Sequence, residues 1–381
     1  MNILFLDQFG EPGGAQQSLL DTVQAVQDRG WNARVMLPGN GPLVEQFVGR
    51  KVSVSEIPCG PYNSGSKSWA DILRFGTDLR QQRRAIADQL GGREFDLVYV
   101  NGPRLLPAAA LSVPPHTPVL FHAHSHIQPP YAARLAGWSL RYARASLIAC
   151  SHSVAQPLVP YVKNVRVIPN GVRDIGFRQR AFPREASWCI GVVGRVAPEK
   201  GQLEFVRAAA LVRNEFPHAR FVIRGAPLFS SSNYIDAVRE AAHGLPVQFL
   251  EWRADVASTF SELDLLVVPS QREGMGRVVV EAFSAGVPVV AFPVGGVPEI
   301  VTDGQTGFLT GGVSPEALAA RICDVMASEP EALHGIAANA RRAWERSYTV
   351  AAYQKQITDQ VERLVSAGPA ECGTEALLPH R

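Results

Sequence analysis

Residues 265–296 read LLVVPSQREGMGRVVVEAFSAGVPVVAFPVGG, and this stretch decides the fold. Leu265 to Pro269 is a short run of consecutive apolar residues, as expected of a parallel strand buried on both faces. The loop after it carries Glu273, and Gly274 and Gly276 flank Met275. A helix is expected next. It holds Glu281, is closed by Gly286, and leads at Pro288 into a second apolar strand. A loop carboxylate beside two glycines, a helix N-terminus and a carboxylate inside the helix form one mouth. The helix end offers backbone N–H groups to an anion, and the carboxylates accept from hydroxyls. Such a mouth suits a sugar joined to a diphosphate.

Upstream, Trp188–Gly194 (WCIGVVG) opens the same β–α series. Arg195 follows at once, and Lys200-Gly201 precedes a helix that begins near Gln202 and ends before Pro217. Two cations in that loop can grip a diphosphate, Arg bidentately and Lys as a point charge. Taken singly, each is as readily a solvated surface charge. Strands are expected at Arg220–Arg224 and Val247–Leu250, and a helix at Asp255–Glu262. Downstream, Gly295-Gly296 with Glu299 begins a further βα turn, and Gly304 and Gly307 bracket another before Phe308-Leu309. From Ser314 the pattern is helical, at 314–328, 331–347 and 350–366. Trp344, Tyr348 and Tyr353 read as packing residues where the last helices cross between domains, and 367–381 reads as a flexible tail.

The first half repeats the alternation. Asn2–Asp7 is a strand, Gln8–Gly14 a loop, and a helix starts near Ala15 with Leu19, Val23 and Val26 on one stripe. The pair Gly13-Gly14 allows a ligand to approach the backbone there, although an ordinary tight turn accounts for it equally. Gly10, Gly13 and Gly14 do not fit the dinucleotide fingerprint G-x-G-x-x-G, and no G-x-x-x-x-G-K-[ST] run occurs. Further strands are expected at Arg34–Leu37, in Val52–Ser68, and at Asp96–Asn101, Pro118–Phe121, Ser146–Ser151 and Val165–Pro169. Residues 38–68 and 101–117 read as variable loops, where acceptor-binding residues are expected. Residues 71–93 read as a helix with Ile72, Phe75, Leu79, Ile86 and Leu90 on the apolar stripe and Arg80, Arg83 and Arg84 off it. Those arginines could dock on an anionic membrane or acceptor, or form only a solvated face.

His122, His124 and His126 follow the Pro118–Phe121 run. They would share one face if the strand continued, but no partner cluster at ligand spacing accompanies them, so no metal is expected. One histidine at the carboxyl end of a parallel strand is placed to meet a ligand, and His124 is preferred.

The chain has 381 residues, 46% of them hydrophobic and 19% charged, enough for two domains. Arg173–Ala186 is read as the linker. The first domain then spans 1–175 together with the helix 350–366, and the second spans 176–349. Five scattered cysteines with no C-x-x-C pair argue against a zinc site or a disulfide framework. No basic segment or cleavage site precedes the first strand, so no signal peptide is expected, and the location is read as cytoplasmic. The longest apolar stretch, Val278 to Val301, is interrupted by Glu281, Pro288 and Pro293 and is no membrane span. The net charge of +2 is uneven: residues 1–180 hold 19 Lys and Arg against 12 Asp and Glu. A basic first half fits an anionic or lipid-linked partner at a membrane face; no nucleic-acid partner is expected.

These residues, taken in order, resemble the retaining glycosyltransferases of family 4. The resemblance rests on Gly13-Gly14-Ala15, His124, Pro169-Asn170-Gly171 and Gly194-Arg195 with Glu199-Lys200-Gly201. It continues through Glu273-Gly274-Met275-Gly276, Glu281, Gly286-x-Pro288, Gly295-Gly296-x-x-Glu299 and Gly304-x-x-Gly307-Phe308-Leu309. It covers about residues 2 to 365, essentially the whole chain. The family implies an α/β GT-B fold, two Rossmann-like doubly wound domains facing across a cleft, with the C-terminal helix crossing back to the first. It implies that Arg195 and Lys200 bind the donor diphosphate and stabilise the leaving group. Glu281 would hold the nucleotide ribose, and Glu273 would lie near the donor sugar. Backbone N–H groups around Gly274, Met275, Gly276 and Arg277 would help hold sugar and phosphate. Gly13 and Gly14 would let the first loop approach, and His124 would contact the sugar, with His122 and His126 as alternatives. The family often has Phe where this chain has Met275. No cofactor or metal is implied, and no D-x-D triplet occurs in the sequence. The donor is expected to be a nucleotide-diphosphate sugar and the acceptor a glycan, lipid-linked or small molecule. The other readings are a further enzyme of the same fold, such as a nucleotide-sugar epimerase or phosphorylase, and a non-catalytic nucleotide-sugar-binding protein.

Overall fold

The computed structural model of the chain describes residues 1–60, 69–182, 187–226, 232–253 and 255–367. Two compact units emerge. The first is Met1–Gly171 with the helix Val350–Ala367, and the second is Val172–Thr349.

In the first unit the strands are β1 (Asn2–Leu6), β2 (Asn32–Leu37), β3 (Ser53–Glu56), β4 (Leu97–Val100), β5 (Val119–Ala123), β6 (Ser146–Ala149) and β7 (Val165–Val167). They form one parallel sheet in the order β3-β2-β1-β4-β5-β6-β7. In β1, β4, β5 and β6 nearly every residue is buried, as a sheet covered on both faces requires. The order reverses direction between β1 and β4, so the loops leaving their carboxyl ends diverge there and leave a crevice.

The second unit holds β8 (Cys189–Val193), β9 (Arg220–Arg224), β10 (Val247–Leu250), β11 (Leu265–Val268), β12 (Val289–Ala291) and β13 (Phe308–Leu309). Their order is β10-β9-β8-β11-β12-β13, again parallel, with the reversal between β8 and β11. Each unit therefore has the doubly wound arrangement expected from the alternating apolar runs.

Each unit also has its own core. Ile3, Phe5, Leu19, Val23 and Tyr99 pack with Tyr353, Ile357, Val361 and Leu364, so the last helix is an integral part of the first unit. Each of those four buried side chains contributes on the order of 1.5–3 kcal/mol. Tyr353 adds a 2.7 Å hydrogen bond to Thr22. In the second unit Ile190, Phe205, Phe221, Leu265, Val267 and Phe292 form the centre. Trp344 is buried there and donates to the Val172 carbonyl, while Tyr348 is only half-buried.

Two segments read as loops contain helices. Pro42–Gly49 and Leu106–Ser112 are both helical and carry proline in the first turn. Proline suits that position because its missing N–H has no intrahelical partner there. Pro130–Tyr142 is a third helix of this kind. Residues 61–68 of the first expected loop, 183–186 of the expected linker and 368–381 of the expected tail lie outside the described residues. So does the side chain of Ile72, on the helix Trp69–Gly91. Among the described residues no helix is long and apolar enough to cross a membrane.

Candidate functional site

In the second unit, the two loops flanking the sheet reversal carry the cations and carboxylates singled out from the sequence. After β8 the chain passes Arg195 and a 3-10 turn at Pro198–Lys200 before the helix Gln202–Glu215. After β11 it passes Glu273 before the helix Arg277–Ala285. The loops are locked together by backbone. Gln271 N donates to Glu199 O at 2.9 Å. Gly201 lies so close to Pro269 that a Cβ on it would stand 1.8 Å from the Pro269 carbonyl oxygen. On the other side Gly295, with φ +57°, packs against Glu273: a Cβ there would stand 1.8 Å from the Glu273 carbonyl oxygen. The loop bearing Glu273 is therefore held on both flanks by residues that must be glycine.

This frame brings Lys200 and Glu273 into contact, Nζ to Oε2 at 2.7 Å, with Glu273 only 11% exposed. Arg195 pairs with Glu199 in the same loop. Arg277 Nε meets Glu281 Oε1 at 3.1 Å one turn into the helix. Burial pushes the Glu281 carboxyl up, and the neighbouring guanidinium opposes that shift. Met275 is buried, a setting that suits an unbranched apolar side chain.

Helix N-termini differ in capping. Ser151, Asp255 and Ser314 cap their helices with side-chain oxygens. The helices Gly14–Asp28, Gln202–Glu215 and Arg277–Ala285 instead start at Gly13, Gly201 and Gly276, with no side-chain cap. These are the three helices that follow the first strand of each unit and β11. The helices Pro42–Gly49, Leu106–Ser112, Pro130–Tyr142, Val297–Ile300 and Pro330–Ser347 also lack a side-chain cap. In the helix Gln202–Glu215 the first-turn N–H of Leu203 donates to the Tyr234 hydroxyl at 3.3 Å.

In the first unit the loops at the β1/β4 reversal surround a buried polar group. Asp7, the residue after β1, is fully buried and accepts from Gln16 Nε2 at 3.1 Å, Asn101 Nδ2 at 2.6 Å and Phe9 N at 2.9 Å. Burial raises its carboxyl from 3.8 to about 6, and the hydrogen bonds hold it from rising further. Asn101, the residue after β4, also bonds His124 at 2.8 Å.

β5 ends at Ala123, so the three histidines do not share a strand face. His122 is buried among core residues, 2.5 Å from the Tyr99 hydroxyl. Burial holds its imidazole well below the usual range, so it is neutral. His126 bonds Ser153. Only His124 joins the cluster at the sheet reversal. Among the described residues no group of three or more His, Cys, Asp or Glu could hold a metal ion. Asp7 and Asn101 were not singled out as site residues from the sequence. The available signal was a polar residue directly after each of the two apolar strands that turn out to flank the reversal.

Two parallel doubly wound units with these loops define the GT-B class of α/β protein. Residues 12–174 match the family Glycosyltransferase Family 4, and residues 188–328 match Glycosyl transferases group 1. The chain belongs to this glycosyltransferase family. It is 25% identical to HepE from Anabaena, whose structure was solved with UDP-glucose; the match covers 96% of this chain and 100% of that one, with a TM-score of 0.78. Sucrose-phosphate synthase from Thermosynechococcus elongatus has the same fold at 19% identity, with a TM-score of 0.77 over 96% of this chain and 100% of that one. D-inositol 3-phosphate glycosyltransferase from Mycolicibacterium vanbaalenii is 32% identical over 193 residues, 46% of this chain and 42% of its own length. The chain thus aligns with about two fifths of the length of that curated relative.

Proposed function

We propose that the chain is a retaining glycosyltransferase that moves a sugar from a nucleotide-diphosphate donor to an acceptor hydroxyl without a metal. The observation that carries this is the interlocked pair of loops at the second unit's sheet reversal. They bring Lys200 onto Glu273 and set both beside two uncapped helix N-termini. The reaction needs stabilisation of the departing diphosphate. Two fixed cations and oriented N–H groups supply it with little reorganisation. In the step proposed, the bond from the anomeric carbon to the diphosphate oxygen breaks and the electron pair stays on the diphosphate. The acceptor oxygen takes its place on the same face, and its proton passes to the departing diphosphate oxygen.

The roles follow from the chemistry of each group. Arg195 and Lys200 neutralise the diphosphate. Glu273, kept in place by Lys200, accepts from donor-sugar hydroxyls, and Glu281 accepts from the ribose. N–H groups at Gly274, Met275, Gly276 and Arg277 hold sugar and phosphate. In the first unit Gly13 and Gly14 let the backbone approach the donor, and His124 contacts its sugar. UDP-glucose is the donor to test first, on the likeness to HepE.

The acceptor is proposed to be a glycan, lipid-linked or small molecule, and anionic. The first half has a surplus of Lys and Arg, and exposed Arg80, Arg83 and Arg84 line a groove of about 400 Å³ with Leu111 and Ser112. Peripheral attachment to the inner face of a membrane is proposed through the same arginines, and binding to anionic liposomes at low salt tests it.

The reaction is tested by following UDP-glucose with the purified protein by proton NMR, with water as acceptor. Release of UDP and α-glucose as the first anomer, abolished by Arg195→Ala, supports the proposal. Initial β-glucose contradicts retention, and tight UDP binding without any turnover favours the non-catalytic reading.

A further inference from the structure

The amino ends of β1, β2 and β3 open onto a cavity of about 590 Å³. Its walls include Arg34 of β2, Ser53 of β3, Trp31 and Lys51 from the turns before those strands, and Arg93 and Glu94 from the loop before β4. Asp7, Asn101 and His124 follow the opposite, carboxyl ends of strands in the same sheet. β1 alone has five residues, so the two edges stand roughly 16 Å apart. The cavity is therefore no part of the candidate site, and it shares no wall with the groove at Arg80, Arg83 and Arg84.

Three of these side chains are cations without a counter-charge. Among the described residues none of Arg34, Lys51 and Arg93 meets a carboxylate at ion-pair distance, and Glu94 pairs with none of them. Arg34 is half-buried and donates to the neutral Gln89 amide at 3.0 Å. Burial, and then the Arg93 charge, lower its guanidinium from the ordinary value. Like charges that face one cavity repel, and an anion seated between them removes that repulsion. The walls also supply its donors: guanidinium N–H groups of Arg34 and Arg93, the Lys51 ammonium and the Ser53 hydroxyl. Lys51 is held there at a conformational cost. It follows the helix Pro42–Gly49 in a left-handed turn, φ +60°, with its N–H donating to the Val48 carbonyl. Glycine takes that conformation without penalty, and a residue with a β-carbon does not.

We infer that this cavity is a separate anion site, which takes a small phosphorylated molecule with its phosphate held by Arg34, Lys51 and Arg93. The volume lies in the range of small-molecule sites, about 300–1,000 Å³, and exceeds what a bare phosphate fills, so the class is a phosphate ester or a diphosphate. The inference does not rest on the proposed reaction.

The test follows Trp31 by 19F NMR in the full chain labelled with fluorotryptophan, its signal assigned by loss in Trp31→Phe. The probes are pyrophosphate and glucose 6-phosphate. A saturable shift of this resonance with either one at millimolar concentration, kept in Arg195→Ala, is expected. Lys51→Gly and Arg93→Gln should each raise the half-saturation concentration by about tenfold or more, the worth of one charge-assisted hydrogen bond. Lys51→Gly should do so with a melting temperature equal to or above that of wild type, so weaker binding in that variant is not loss of fold. No shift with either probe overturns the inference, as does a shift that sodium chloride of equal ionic strength reproduces. A half-saturation concentration unchanged in either Lys51→Gly or Arg93→Gln overturns it too. A shift lost in Arg195→Ala assigns the anion to the second unit and has the same force.

Discussion

Gly295→Ala is the most direct probe of how the site is held, because it changes no group that could touch substrate. The new Cβ would stand 1.8 Å from the Glu273 carbonyl oxygen and 2.9 Å from its carbonyl carbon. A carbon and a carbonyl oxygen need about 3.3 Å, so the Glu273 loop must retreat by about 1.5 Å. The residue also has φ +57°, which costs an alanine roughly 1 kcal/mol. Displacing a packed loop adds about 1–3 kcal/mol, for about 2–4 kcal/mol in all. Gly304 supplies the control: its φ is +68° but nothing lies within 4 Å of its Cβ position, so Gly304→Ala carries only the backbone cost. Urea unfolding should therefore place Gly295→Ala about 1–3 kcal/mol below Gly304→Ala. A misplacement of about 1 Å is worth about a hundredfold in rate, so UDP-glucose hydrolysis should fall by about that factor in Gly295→Ala alone. If the two variants match in stability and turnover, the interlocked-loop argument is wrong.

Three further outcomes are expected. Glu273→Ala and Lys200→Ala should each reduce hydrolysis at least a hundredfold with circular dichroism unchanged, and Lys200→Ala should cost about 1–2 kcal/mol by leaving the mostly buried Glu273 without its cation; near-wild-type turnover in both removes the site assignment. For Asp7, an acid raised by folding from 3.8 to about 6, the stabilising contribution is present below about pH 4 and is lost as pH rises through about 6. The unfolding free energy of wild type relative to Asp7→Asn should accordingly fall by about 2.4 kcal/mol from pH 4 to pH 7, whereas a flat difference contradicts the burial of an ionised Asp7. Replacing Arg80, Arg83 and Arg84 together with Gln should abolish sedimentation with anionic liposomes at low salt and leave UDP-glucose hydrolysis intact; unchanged sedimentation removes the membrane proposal.

The α/β fold was readable because buried parallel strands leave a one-dimensional signature. Runs such as Leu265–Val268 and Cys189–Val193 have no polar face, and a glycine loop follows each. Short helices opened by proline left a weaker trace. Pro42–Gly49 follows a glycine-rich turn, and its eight residues, of which only Leu43 and Phe47 are buried, are too few to establish a period. The charges Arg195, Lys200, Glu273 and Glu281 stood out because each lies at a fixed offset from a strand or helix end. Asp7 and Asn101 did not, since a single polar residue after an apolar run also reads as an ordinary strand stop. Their meaning depends on β1 lying beside β4, a pairing between residues 3–6 and 97–100 that local pattern does not encode. The same holds for His124. Its separation from His122 and His126 comes from the strand ending at Ala123 and from partners distant in sequence.

The central claim is that Arg195 and Lys200 hold a nucleotide diphosphate in the second unit. A thermal-shift series with UDP, GDP, ADP, NAD and their common sugar conjugates, run on wild type and Arg195→Ala, tests it most directly. A ligand present at about 100 times its Kd stabilises the folded state by about 2.7 kcal/mol. The account predicts a clear rise in melting temperature with one nucleotide diphosphate and its sugar conjugate, lost in Arg195→Ala. A rise with NAD alone, or one that Arg195→Ala retains in full, would contradict it.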